Sequence, residues 1–144
     1  MLASRDDINT HLPQDKLHVQ DANEQVDKHQ IDVDRVIKGY LSSTYSPATL
    51  AAWAEPVDTP GFIRSIAGRL VAAWHYARMY SEDIPDWDRT YPQRLYNEAM
   101  KMLEEVRSGV VDLDLPEEAG TQFGSSFFYP TKETEPVFTM GMRF

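Results

Sequence analysis

Asp21, Asn23, Gln25 and Asp27 place oxygen-bearing side chains at alternate positions, and Asp32 closes a twelve-residue window. That is the outline of a calcium-binding loop. Such a loop needs glycine at its sixth position for a sharp turn and a bidentate glutamate at its twelfth. Val26 and Asp32 stand there instead, so the segment reads as a solvated acidic loop. Asp83, Asp86 and Asp88 cluster around Trp87. Paired carboxylates do acid–base work only in a dry cleft that raises one pKa, and an acidic turn between helices does not supply one. His11, His18, His29 and His75 are scattered, with no two at i, i+4 spacing on one helical face. Zinc binding or nucleophilic catalysis would need the fold to gather partners for them.

Phosphate-cradling glycine loops and the serine elbow of hydrolases are absent from the sequence. Arg64, Arg69 and Arg78 share one predicted helix. Residues five apart sit about 140° from each other on a helix, so these arginines do not form a phosphate track. They are candidates for contacts with acidic neighbours between subunits. The least ordinary chemistry lies at the end of the chain. Phe127, Phe128, Tyr129 and Pro130 form one apolar cluster, and Val137, Phe138 and Met140 a second, with Phe144 last. Solvated tails are poor in aromatics. Clusters of this type become ordered by docking into pockets, so Phe127, Phe128, Tyr129, Phe138, Met140 and Phe144 are the candidate partner-binding anchors. No cofactor and no resident metal is called for, and no catalytic residue emerges.

Three apolar stripes at helical spacing must position these groups: Val33-Val36-Ile37-Tyr40-Leu41, Ile63-Ile66-Ala67-Leu70-Trp74, and Leu95-Ala99-Met102-Leu103-Val106. Ser4, followed by Asp6 and Asp7, starts a short helix that Pro13 stops. A brief turn is expected over residues 14–19, then a polar loop over 20–30. A helix should follow from about Asp32 to Ser42, with Gly39 a weak point costing ~1 kcal/mol relative to alanine. Residues 48–54 suit a turn or two of helix. Thr59 and Pro60 mark the start of the longest helix, a capping threonine followed by proline, running to about Ser81. It is expected to be the central element. The last helix should begin near Thr90 or Pro92 and end near Ser108, closed by Gly109. Residues 110–113 suit one short strand. The fold class expected is all-α, a small four- to five-helix bundle over residues 1–113, with an extended, mostly irregular C-terminal arm over 114–144.

Composition narrows the function classes. At 144 residues one domain is expected, able to bury about two thirds of its unfolded surface. A hydrophobic content of 42% with 11% aromatics rules out a wholly disordered chain. No apolar run approaches the ~18 residues of a membrane span, and the acids at positions 6 and 7 come too early for a signal peptide. Zero cysteines exclude disulfides and thiolate chemistry. The net charge is −9, and residues 1–40, 41–110 and 111–144 each carry more acid than base. The basic footprint of a nucleic-acid binder is therefore missing.

Four blocks together carry a likeness to a known group. They are Ala3-Ser-Arg-Asp-Asp-Ile8, then Val33-x-x-Val36-Ile37-x-Gly39-Tyr40-Leu41-x-x-x-Tyr45, then Phe62-Ile-Arg-Ser-Ile-Ala-Gly-Arg-Leu70 with Tyr76-Ala-Arg-Met-Tyr80, and Tyr96 to Gly109. In order and spacing the chain resembles tailed-phage head-to-tail connector (adaptor) proteins, closest to the Mu-like prophage neck group, over roughly residues 1–113. The connection from Ser46 to Pro60 is longer than the group's, and the stretch from Asp114 onward finds no counterpart. The resemblance implies a structural, non-enzymatic virion protein of the neck. It would form a homo-oligomeric ring, commonly twelvefold, under the portal protein, and dock the next neck or tail protein. DNA would pass through without sequence-specific binding, no membrane would be involved, and assembly would take place in the host cytoplasm. Two rival readings remain open on residues alone: a small cytoplasmic helical regulator that binds a partner through its aromatic tail, and a metal-dependent enzyme built on the Asp21–Asp32 or Asp83–Asp88 acids.

Overall fold

A computed structural model describes residues 1–13, 18–20, 23–79 and 86–113, with backbone alone for 86–90. Among the described residues the regular elements are all helices: α1 Arg5–Asn9, α2 Glu24–Leu41, α3 Pro47–Ala52, α4 Gly61–Met79 and α5 Asp86–Arg107. The expected arm over 114–144 lies outside the described residues.

Helix α4 is the spine. Ile63, Ile66, Ala67, Gly68, Leu70, Val71, Ala72, Ala73, His75 and Tyr76 are all buried, which is more than one apolar face can account for. The reason is that α1, α2 and α5 all pack against α4, whereas α2 and α5 touch each other less. Each fully buried Leu or Ile contributes ~1.5–3 kcal/mol relative to exposure, so this helix carries much of the stability. α1 comes closest. A Cβ built on Gly68 would stand 2.7 Å from the carbonyl oxygen of Asp7. Only glycine allows that approach of two backbones.

Local sequence explains the other elements. Ser4 and Asp7 form a reciprocal capping box at the start of α1. Asn9 then holds the next described segment, its side chain accepting from Val19 N at 2.8 Å and donating to Val19 O at 3.2 Å. Ser46 caps α3, with Pro47 at the first helical position. At the end of α5, Gly109 adopts φ 77°. Val110 N donates to Glu105 O at 2.9 Å and Gly109 N to Val106 O at 3.2 Å. Those two bonds satisfy carbonyls the helix end would otherwise leave bare.

Several expectations need correction. The polar loop expected over 20–30 is helical from Glu24, because the Asn23 side chain accepts from Gln25 N and Val26 N and so caps α2 a full two turns earlier. Its inner stripe is Val26, Gln30, Val33, Ile37 and Leu41. Val36 is not part of it, being 41% exposed. Thr59 does not cap α4; its hydroxyl donates back to Glu55 O at 2.8 Å. α5 starts at Asp86 and not near Thr90 or Pro92, so Pro92 lies inside the helix, and α5 with 22 residues is longer than α4 with 19. No strand forms over 110–113, since the N–H groups of Val110 and Val111 are turned back onto Glu105 O. Of the described part of the brief turn over 14–19, His18 and Val19 are not helical, and residues 14–17 lie outside the description.

The tryptophans divide the same way. Trp53 is 2% exposed and packs at 5.7 Å from the Tyr45 ring. Trp74, placed in the core stripe by its spacing, is half-buried. Trp53→Ala should therefore cost about 3–5 kcal/mol in urea unfolding, and Trp74→Ala about 1–3 kcal/mol. The reverse order would contradict the placement of both rings. Gly68→Ala should destabilise by about 1–3 kcal/mol through forced separation of α1 from α4; an alanine variant as stable as the parent would remove that contact from the account.

Candidate functional site

The three arginines of α4 point to three different neighbours, as their spacing requires. Arg64 donates from Nη1 to Pro56 O at 3.4 Å, and its buried Nε has no hydrogen-bond partner among the described residues. Arg69 donates to the Ser65 carbonyl at 3.3 Å and to the Ser65 hydroxyl. Its Nε lies 4.0 Å from Glu98 Oε2 on α5. Arg78 is exposed in the last turn of α4. Two of the three are thus engaged inside the chain, and Arg78 presents its charge to solvent.

The histidines do not assemble into a site. His29 on α2 meets Trp74 edge-on, ring centroids 6.1 Å apart. His75 is 5% exposed, and its Nδ1 finds no partner among the described residues. Burial, with the Coulomb effect of His29 behind it, pushes the His75 pKa below its ordinary value. Burial and then Arg78 lower that of His29, against a smaller opposing effect of Asp32. Burial and then Arg69 lower that of His11. Among the described residues no three His, Asp or Glu side chains stand close enough to hold a metal ion. Of the Asp21–Asp32 window, Glu24 to Asp32 belongs to α2, which draws apart the groups a loop would have brought together. Asp83 and the side chains of Asp86 and Asp88 lie outside the described residues, as do the anchors Phe127, Phe128, Tyr129, Phe138, Met140 and Phe144.

Reasoning from the sequence missed a cleft between the start of the chain, α2 and the α3–α4 connection. Arg5, Gln30, Ala54 and Pro56 are among its lining residues, and it has a volume of about 350 Å³. Arg5 pairs through Nη2 with Asp27. Gln30 is 4% exposed. The available signal was a glutamine four residues after Val26 and three before Val33, a polar side chain set into an apolar stripe.

The depressed histidine pKa values fix a pH dependence. In the unfolded chain these rings take up protons near the ordinary value of 6.5, whereas the fold delays uptake to lower pH. The unfolded state then binds more protons, so their contribution is intact above about 6.5 and is lost as pH falls towards the lower folded values. Urea midpoints should fall from about pH 7 to about pH 5, and less steeply in His75→Asn. A flat or rising midpoint would contradict the burial of these rings.

Compared with known families, the chain matches the family model described as Bacteriophage Mu, Gp36 over residues 3–126. The match runs beyond Leu113, where the sequence alone suggested no counterpart. No curated protein and no solved structure gave a match.

Proposed function

This bacteriophage protein belongs to the Bacteriophage Mu, Gp36 family, and we propose that it is a structural, non-enzymatic component of the virion neck. It assembles into a closed ring of identical copies, twelve on the pattern of connector proteins, beneath the portal protein. There it extends the DNA channel and docks the next neck or tail protein. The observation that carries this reading is the family match across most of the chain. The folded body supports it in a general way: a helix wrapped by three others is a rigid block suited to stacking in a ring.

The charge balance supports passive passage of DNA. A net −9 on each copy sums around a ring to a wall that repels phosphate, whereas a basic lining would trap it through counterion release. Arg78, exposed at the end of α4, is the best placed of the three arginines to meet an acidic neighbour, with Arg64 and Arg69 joining it if their internal contacts open. The anchors Phe127, Phe128, Tyr129, Phe138, Met140 and Phe144 hold the assembly together, since many weak contacts made at once multiply into a stable one.

The test is co-assembly. Mixed with the portal protein of the same phage, the full chain should sediment with the portal as a ring-shaped complex. Phe127→Ala with Phe128→Ala should leave the helical circular dichroism unchanged while weakening that complex by about tenfold or more. A chain that never joins the portal contradicts the adaptor reading; a large loss of helix in the double variant contradicts the assignment of those rings to partner docking.

A further inference from the structure

Gln30 is the polar member of the inner stripe of α2, between Val26 and Val33. Its Nε2 donates to Ala3 O at 2.7 Å. A carbonyl only accepts, so the amide cannot turn over, and Oε1 remains the end that needs a donor. Among the described residues nothing donates to it. Arg5 lines the same cleft. Its Nη2 is taken by Asp27, and its buried Nη1 lacks an acceptor among the described residues. Two side chains of a single cleft therefore each carry an unmet polar atom, an acceptor on Gln30 and a donor on Arg5, both just beneath the cleft surface. Each costs stability while unmet, since a buried polar group has given up its water.

The pairing selects the chemistry of the occupant. A phosphate or carboxylate would satisfy Arg5 but set an oxygen against Gln30 Oε1. An ammonium would do the reverse. A peptide unit offers N–H and C=O together and satisfies both once small side-chain shifts bring the two covered atoms to the cleft surface. Asp27 balances the Arg5 charge, and the other charged lining residues, Met1 with its ammonium bonded to Ala54 O and Glu55 with its carboxylate, are opposite in sign, so no net ionic demand remains. The walls provided by Ala3, Ala54 and Pro56 accept an apolar side chain, and about 350 Å³ lies within the size range of ligand sites. Val57, next to Pro56, is 82% exposed, and a passing polypeptide would cover it where a small molecule would not.

We propose that this cleft is a socket for a peptide segment of a second copy of the chain, drawn from residues 114–144. The inference rests on the ring reading above. That segment holds the apolar run Phe127-Phe128-Tyr129-Pro130, which suits the apolar walls. Its 31 residues, fully extended, reach at most ~100 Å, enough to cross to a neighbour. A socket on one face and a plug from elsewhere in the chain make a head-to-tail contact, the kind that closes rings.

Isotope-labelled full-length protein titrated with a synthetic peptide of residues 114–144 tests this by nuclear magnetic resonance. Saturable shifts are expected at the Gln30 side-chain amide, the Arg5 guanidinium and Ala54. Ala54→Trp, which fills the cleft from an exposed position, should weaken peptide binding about tenfold or more. Arg5→Lys keeps a positive charge for Asp27 but removes the second planar donor, and should weaken it too. No shift at these residues, or shifts undiminished in both variants, overturns the socket. Co-sedimentation with the portal separates the two claims: a wild-type chain that joins the portal without any shift on peptide titration loses the socket alone, whereas a chain that binds peptide but never joins the portal loses the adaptor reading.

Discussion

The missing side chain at Gly68 lets the backbone of α1 lie against α4, with the Asp7 carbonyl where a Cβ would otherwise sit. Once α1 is seated there, Leu2, Ala3, Ile8 and Leu12 are buried, and the first turn of the chain becomes part of the core. The same seating brings Ala3 O to Gln30 of α2 and Arg5 to Asp27. Farther along, the Tyr91 hydroxyl donates to His11 O at 2.8 Å, and its ring stacks edge-on against Tyr76 at 5.5 Å. Three helices are thus locked to α4 from different sides. Little of α4 is left for solvent.

Such a body has few places to put chemistry. Its polar groups near the core are mostly consumed in holding elements together. Tyr40 bonds Glu104 through its hydroxyl while Arg107 lies over its ring at 5.1 Å, joining α2 to α5. The exceptions among the described residues include Arg64 Nε and His75 Nδ1, and the cleft beside α1, where an acceptor and a donor stay unmet side by side. A closely packed helical body with unmet polar groups at one edge is suited to being held among other subunits, which is the role proposed for it.

The sequence made part of this legible. The Ser4 cap, the short α3, the dominance of α4 and the closure at Gly109 were each written in a local signal whose chemistry acts over three or four residues. α2 was read too short because Gln30 interrupts the apolar pattern, and its burial depends on Ala3, far away in the chain. The beginning of α5 was misjudged because Pro92 looks like a boundary; proline forfeits one hydrogen bond, and tertiary packing against α4 tolerates that loss. Periodicity ranked Trp74 above Trp53, since a stripe shows which residues share a face but not which face has a neighbour. The cleft was invisible for the same reason. Arg5, Gln30 and Ala54 are brought together only by packing, and no spacing announces them.

Hydrogen exchange on the full chain, alone and bound to the portal protein, tests the central claim most directly. If a rigid block acts by being held between larger bodies, α4 amides should be equally protected in both states. New protection should then appear around the Arg5–Gln30 cleft and within residues 114–144. Exchange in those regions that is the same with and without the portal would contradict the account.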